Sequence, residues 1–198
     1  GELCLPQLRL WALQAYVSVG AVERWPPPSV EHVPEPWKAW LVETYQEERY
    51  GKVSGTTGHG ELFRSFGSAI GLTSEDMEKS KPLLPTAVQM FFFEWVSKCR
   101  PWYYSVAAAG ILEDQLPETF AAMSQALQEH FELGSEATRF FDVHIHVDRE
   151  HGDLGTSLLS EFVRTKEERE EMNHILDHVT DLLWEVWMIP EDYPNYVA

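Results

Sequence analysis

Cysteine is scarce in this sequence, whose 198 residues include only Cys4 and Cys99. Two thiols provide neither a disulfide framework nor, by themselves, a structural zinc site. We therefore expect a reducing, cytoplasmic environment. Cys99 ends a strongly apolar segment, and we expect it to be a buried structural thiol.

Basic residues are also few, with 15 Lys and Arg against 32 Asp and Glu, a formal net charge of −17. A strongly acidic surface repels phosphate groups, so nucleic acids and anionic membranes are poor candidate partners. The longest apolar runs are too short to span a bilayer. We find no basic segment followed by an apolar one, so we expect no signal peptide in this sequence.

Alternation of apolar and polar residues, the mark of β-strands, is missing too, and helical spacing takes its place. Residues 5–21 show it clearly, and Pro36 and Pro85 stand where helices can begin. Pro26-Pro27-Pro28 forms a stiff connector. Further helices are predicted for residues 36–50, 59–70, 102–114, 117–131, 135–150 and 166–188. We expect one domain, residues 1–198, with an all-α fold of about seven helices.

The strongest chemical signal lies in the helix predicted for residues 135–150 and just beyond it. Because a helix advances about 100° per residue, Asp148 lies about 40° to one side of His144 and His151 about 20° to the other. The three side chains form one narrow stripe next to Phe140 and Phe141. Two imidazoles and a carboxylate suit iron or manganese. A chance arrangement on an acidic helix is the alternative.

Three other features are weaker candidates. His146 points about 160° away from the stripe and is expected at the surface or behind the ligands. His174 and His178 are one helical turn apart, but charged residues surround them, and a solvated face is the expected role. The glycine-rich segment 51–58 lacks the Gly-Lys-Ser/Thr ending of a phosphate-binding loop.

Three further residues stand in recognisable patterns: Glu113 ends a Gly-x-x-Glu pattern, Glu48 precedes a Tyr-Gly turn, and His59 opens the next helix. Together with the His-x3-Asp-x2-His pattern of the stripe, their order and spacing resemble the haem-oxygenase-like di-iron oxidases and oxygenases, relatives of the thiaminase-like and PQQ-synthase-like helical proteins. Glu47 is an alternative to Glu48. Many relatives carry Glu where this chain has His146.

This resemblance implies an O2-using non-haem di-iron oxidoreductase with two iron ions as cofactor and O2 as co-substrate. It implies six metal ligands: Glu48, His59, Glu113, His144, Asp148 and His151. Members of the family oxidise small molecules, mostly in natural-product biosynthesis, by C–C cleavage, nitrile formation, desaturation or N-oxygenation. We also expect a homodimer and an external electron donor.

For the substrate we expect a free amino acid, in particular one with an aromatic side chain. Lys98, Arg100 and Arg139 are candidates to bind its carboxylate, and Phe92 and Trp102 to line its pocket. Surface charge and core packing are the alternatives for these residues. Other functions left open are fatty-acid oxidative decarboxylation to a terminal alkene and a non-enzymatic helical interaction protein. A thiaminase-like hydrolase or a cofactor-free oxidase of the same fold lacks the full set of six ligands, so the presence of all six argues against both.

Overall fold

Helices form almost all of the structure, a computed structural model that describes residues 3–22 and 33–196. No strand occurs within these two ranges, so the predicted all-α class is confirmed. Nine α-helices are present there, against about seven expected. They are α1 Leu5–Val22, α2 Trp37–Tyr50, α3 His59–Ala69, α4 Ser74–Lys79, α5 Leu84–Cys99, α6 Trp102–Glu113, α7 Leu116–Phe131, α8 Ser135–Phe162 and α9 Lys166–Asp192. The predicted connector at Pro26–Pro28 lies outside the described residues.

Helix α8 is the centre of the bundle, and α3, α6 and α7 pack against it. Glycines explain how closely α6 approaches. A Cβ atom on Gly110 would lie 2.5 Å from the carbonyl oxygen of His151, and one on Gly155 would lie 3.0 Å from the amide nitrogen of Ile111. Only hydrogen at these positions lets the two backbones touch. This contact brings the C-terminal end of α6 next to the middle of α8.

Two hydrophobic clusters flank α8 and fix its position. The first is aromatic, and its buried rings include Trp11, Phe66 and Phe141 from α1, α3 and α8. The second joins α5, α6, α8 and α9, with Val96 and Leu158 fully buried. Burial of one such side chain contributes about 1.5–3 kcal/mol. The polar face of α8 is therefore held between two well-packed regions.

Two expectations from the sequence, one about the length of α8 and one about Cys99, are wrong. Helix α8 does not end near Glu150 but continues to Phe162. Gly152 and Gly155 do not break it, because both are used for contact with the α6 end, where a Cβ on Gly152 would overlap the Asp114 side chain. Cys99 is exposed rather than buried.

None of the described helices combines the length and the apolarity that crossing a bilayer requires.

Candidate metal centre

Six polar side chains from four helices meet in the middle of the bundle as two groups of three. One group contains Glu48, His59 and His144, and the other contains Glu113, Asp148 and His151. Within each group the candidate ligand atoms all lie within 4.8 Å of one another. The structure thus brings together the six residues that the sequence predicts as ligands. Their role as ligands stays a prediction.

The two groups share helix α8, which places His144, Asp148 and His151 on one buried face. Glu48 comes from the last turn of α2, and Glu113 is the last residue of α6. His59 is the first residue of α3 and is 1% exposed. Three of the six candidate ligands therefore lie at or near helix ends. The distances within each group depend on how α2, α3 and α6 pack against α8.

His144 is oriented by its own helix. Its Nδ1 lies 2.6 Å from the carbonyl oxygen of Phe140. A carbonyl oxygen only accepts, so Nδ1–H donates and Nε2 keeps the lone pair that a metal needs. Burial and the neighbouring His59 lower the pKa of His144, which favours the neutral ring.

His59 lies between two carboxylates. Its Nδ1 is 2.8 Å from Oε2 of Glu48, and its Nε2 is 3.2 Å from Oε1 of Glu47. Glu48 is a member of the ligand group and Glu47 is not, so the position of these side chains favours Glu48 as the ligand. Burial opposes a charged ring, but the two carboxylates outweigh it and raise the pKa of His59.

Asp148 is the clearest sign that a cation belongs here. It is 1% exposed, and neither carboxylate oxygen has a hydrogen-bond partner. Burial and the negative charges of Glu113 and Glu48 raise its pKa to about 10. A buried carboxylate without a partner is costly, and a divalent cation supplies the missing charge.

His151 completes the second group. Its Nδ1 lies 2.6 Å from Oε2 of Glu113. Burial alone would lower the pKa of His151, but Glu113 outweighs it and raises the pKa to about 9. Three carboxylates and three imidazoles form a mixed oxygen and nitrogen donor set, which fits iron. The residues present therefore fit a metal centre of the expected kind.

A cavity of about 200 Å³ reaches this centre at Glu113. Its walls are mostly aromatic and aliphatic, and they include Trp11, Phe93, Phe120 and Trp187. Ser18 and Gln89 are polar lining residues, and the Ser18 hydroxyl donates to the Gln89 side-chain oxygen at 3.1 Å. Among the described residues that line the cavity, none is positively charged. The cavity therefore suits an apolar group.

The residues predicted to bind substrate lie elsewhere. Lys98 pairs with Glu94 at the surface, Arg100 with Glu171, and Arg139 with Glu136. Phe92 packs near Trp95 and His178, and Trp102 packs on Phe162. None of the five lines the cavity beside Glu113. Their predicted role in substrate binding has no support from their position.

The remaining candidates behave as surface residues. His146 is exposed. The rings of His174 and His178 are 4.1 Å apart on an exposed face, and neither belongs to a group of three candidate ligands found among the described residues.

Two neighbours of the centre have contacts that the sequence did not indicate. Glu47, considered only as an alternative to Glu48, contacts the outer nitrogen of His59. Trp40 lies edge-on to the ring of His151, with ring centroids 5.9 Å apart. No local pattern in the sequence indicates that contact, because the two residues are far apart along the chain.

Comparison with known proteins agrees with this fold. No curated protein matches the chain. A solved structure described as a domain of unknown function with a haem-oxygenase-like fold, from Shewanella denitrificans, superposes with a TM-score of 0.79. The two chains are 16% identical, and the match covers 98% of this chain and 81% of the other. The model of a family described as iron-containing redox enzymes matches residues 9–184. On this evidence the chain belongs to the family of iron-containing redox enzymes and has the haem-oxygenase-like fold.

Proposed function

We propose that this protein is a non-haem di-iron oxidase or oxygenase that uses O2 to oxidise a small, largely apolar molecule. The observation that carries the proposal is the pair of three-residue groups. One of them contains Asp148, whose buried carboxylate has no hydrogen-bond partner. Two groups with one shared helix suit two metal ions. The adjacent cavity gives a substrate access to the Glu113 side of the centre.

The protein's own residues have three tasks in such a reaction. Glu48, Glu113 and Asp148 offset the charge of two cations in a buried site. His59 and His144 are oriented by acceptors behind them, so their free nitrogens point inward. Bound iron would supply the electrons that reduce O2. The aromatic walls of the cavity exclude water from the reacting carbon.

The cavity favours one substrate class over another. A free amino acid brings an ammonium and a carboxylate, and Lys98, Arg100 and Arg139 are not among the lining residues. An apolar cavity of about 150 Å³ accepts benzene, so one slightly larger holds about eight to ten carbon atoms. A medium-chain carboxylic acid, with its carboxylate at the metals and its chain in the cavity, fits better. This supports the alternative of fatty-acid oxidative decarboxylation over the amino-acid expectation.

The electron balance of that reaction requires an external donor. Conversion of a carboxylic acid into a terminal alkene releases CO2, two protons and two electrons. Reduction of O2 to two water molecules takes four protons and four electrons. The donor must supply the remaining two electrons and solvent the remaining two protons. An external electron donor therefore stays part of the proposal. The expected homodimer stays a prediction as well.

The test is anaerobic loading with Fe(II) followed by O2, with products read by mass spectrometry. Saturated carboxylic acids of about eight to twelve carbons are compared with phenylalanine and tyrosine. We expect O2 uptake, oxidation of the bound Fe(II), and a product from the carboxylic acids. A product from the amino acids alone would overturn the substrate class. No iron binding and no O2 uptake would favour the non-enzymatic alternative.

A further inference from the structure

We propose that Glu47, which is not a ligand itself, is the positioning residue that makes His59 bind metal through Nδ1. This rests on the metal centre of the proposed function. The contacts of Glu47 are its evidence. Its side chain is 2% exposed, and its Oε1 faces Nε2 of His59 at 3.2 Å. The other ring nitrogen, Nδ1, faces Glu48.

The Glu47 carboxylate is anchored by the loop that follows α2. Its Oε2 accepts hydrogen bonds from the backbone N–H of Val53, at 2.5 Å, and of Ser54, at 3.0 Å. Those two bonds, together with the contact to His59, fix the carboxylate in one place inside the protein. Both anchors are backbone groups of the loop, and the Ser54 side chain also hydrogen-bonds the carboxylate, so the position of Glu47 depends on the shape of the loop.

Two glycines give the loop that shape. Gly51 has a φ of 61°, in the left-handed region, and a Cβ there would lie 2.5 Å from the carbonyl oxygen of Thr57. A Cβ on Gly58 would overlap the backbone carbonyl of Arg49. The loop therefore folds back against the end of α2, and this presents the amides of Val53 and Ser54 to Glu47. Segment 51–58, which lacks the ending of a phosphate-binding loop, thus positions a neighbour of the candidate metal centre.

The consequence is a fixed tautomer. With Glu48 engaged by the metal, the Glu47 carboxylate, which only accepts, would hold the His59 proton on Nε2 and leave the Nδ1 lone pair, on the Glu48 side of the ring, to the same metal. His144 shows the opposite arrangement, with its proton on Nδ1 and its lone pair on Nε2. The two imidazoles of one group would thus bind one metal through different nitrogens.

The first measurement uses the wild-type protein loaded with Zn(II), which is diamagnetic and does not react with O2. Nitrogen-15 NMR of labelled histidines distinguishes a metal-bound, a protonated and a bare ring nitrogen. We expect His59 to be bound through Nδ1 and protonated at Nε2, and His144 to show the reverse. Binding of His59 through Nε2 would overturn the inference even if every variant failed to fold.

The second measurement is Glu47→Gln with Fe(II) binding followed anaerobically against a competing chelator. The glutamine oxygen still accepts from Val53 and Ser54, but its NH2 group faces Nε2 of His59 and drives the ring proton to Nδ1. We expect affinity at the Glu48 group to fall about 10- to 100-fold, with the group around Asp148 unchanged. The tautomer signal of His59 in the variant should invert.

The matched control is Glu61→Gln, which removes a carboxylate two residues after His59 on the exposed side of α3, where it pairs with Arg64. It should bind Fe(II) and Zn(II) as the wild type does. Wild-type affinity in Glu47→Gln would refute the positioning role while leaving the metal centre in place. Failure of the wild type to bind either metal would refute both this inference and the proposed function.

Discussion

Replacing Asp148 with asparagine should stabilise the metal-free protein and remove most of the stability that metal adds. The substitution keeps the size of the side chain and removes its charge. In the structure this carboxyl is buried beside Glu113 and Glu48 and has no hydrogen-bond partner. The carboxyl therefore lowers the unfolding free energy of the metal-free protein and raises that of the protein with a bound cation.

The magnitude follows from the pKa of Asp148, which burial and the two carboxylates raise from its ordinary 3.8 to about 10. Below about pH 4 the carboxyl is protonated whether the chain is folded or unfolded, and its full contribution to stability is present. Between about pH 4 and pH 10 the folded chain keeps the proton and the unfolded chain loses it. Each pH unit then lowers the free energy of unfolding by about 1.4 kcal/mol. At pH 7 the loss approaches about 4 kcal/mol.

Asparagine does not carry this penalty, and like the protonated carboxyl it is an uncharged polar group. Allowing for relaxation of the buried site, we expect Asp148→Asn to raise the unfolding free energy of the metal-free protein by about 2–4 kcal/mol at pH 7. For a domain of this size that corresponds to a rise in Tm of about 5–10 °C. Below about pH 4 the difference should nearly vanish, and at pH 5 it should be less than half of its value at pH 7.

The assay is thermal unfolding by circular dichroism at pH 5, 6, 7 and 8, with a chelator or with Zn(II). Asp142→Asn is the matched control, because Asp142 lies on the same helix and accepts hydrogen bonds from Ser124 and Thr138. That variant should be less stable than the wild type with and without metal, by about the same amount. If metal-free Asp148→Asn unfolds at a lower temperature than the wild type at pH 7, or gains as much from Zn(II), the reasoning fails.

Three further variants test the remaining geometry. Gly110→Ala places a methyl group against the His151 carbonyl, so we expect a loss of about 1–3 kcal/mol in unfolding free energy, measured by denaturant titration, and weaker metal binding in a chelator competition. Ala15→Phe fills the cavity from α1, which carries none of the six candidate ligands, and steady-state kinetics should show at least a tenfold rise in KM with iron content unchanged. Lys98→Ala removes a surface ion pair and should change kcat/KM less than twofold; a tenfold fall would restore Lys98 as a substrate-binding residue.

The sequence was most informative where the relevant geometry is local. Helical spacing indicated the all-α class, because side-chain periodicity within one helix depends only on the backbone of that helix. The same rule put His144, Asp148 and His151 on one face before any packing was known. The end of α8 was misjudged, because whether Gly152 and Gly155 break a helix or serve as contact points depends on the partner helix.

The positions of the other candidate ligands could not be derived from spacing. Glu48, His59 and Glu113 were indicated by resemblance, since they lie on three other helices whose docking on α8 is a property of the whole core. The placement of Glu48 in the ligand group, with Glu47 behind His59, required the fold of the loop after α2.

The cavity beside Glu113 is the feature that tertiary structure alone decided. Aromatic residues are plentiful in the sequence and basic residues are few, and the expectation of an amino-acid pocket assigned some of each to a substrate. The cavity is formed between helices that are distant in the chain, so its lining depends on which faces they turn inward. Local periodicity determines what each helix can offer, and long-range packing determines which of those faces meet the metal centre.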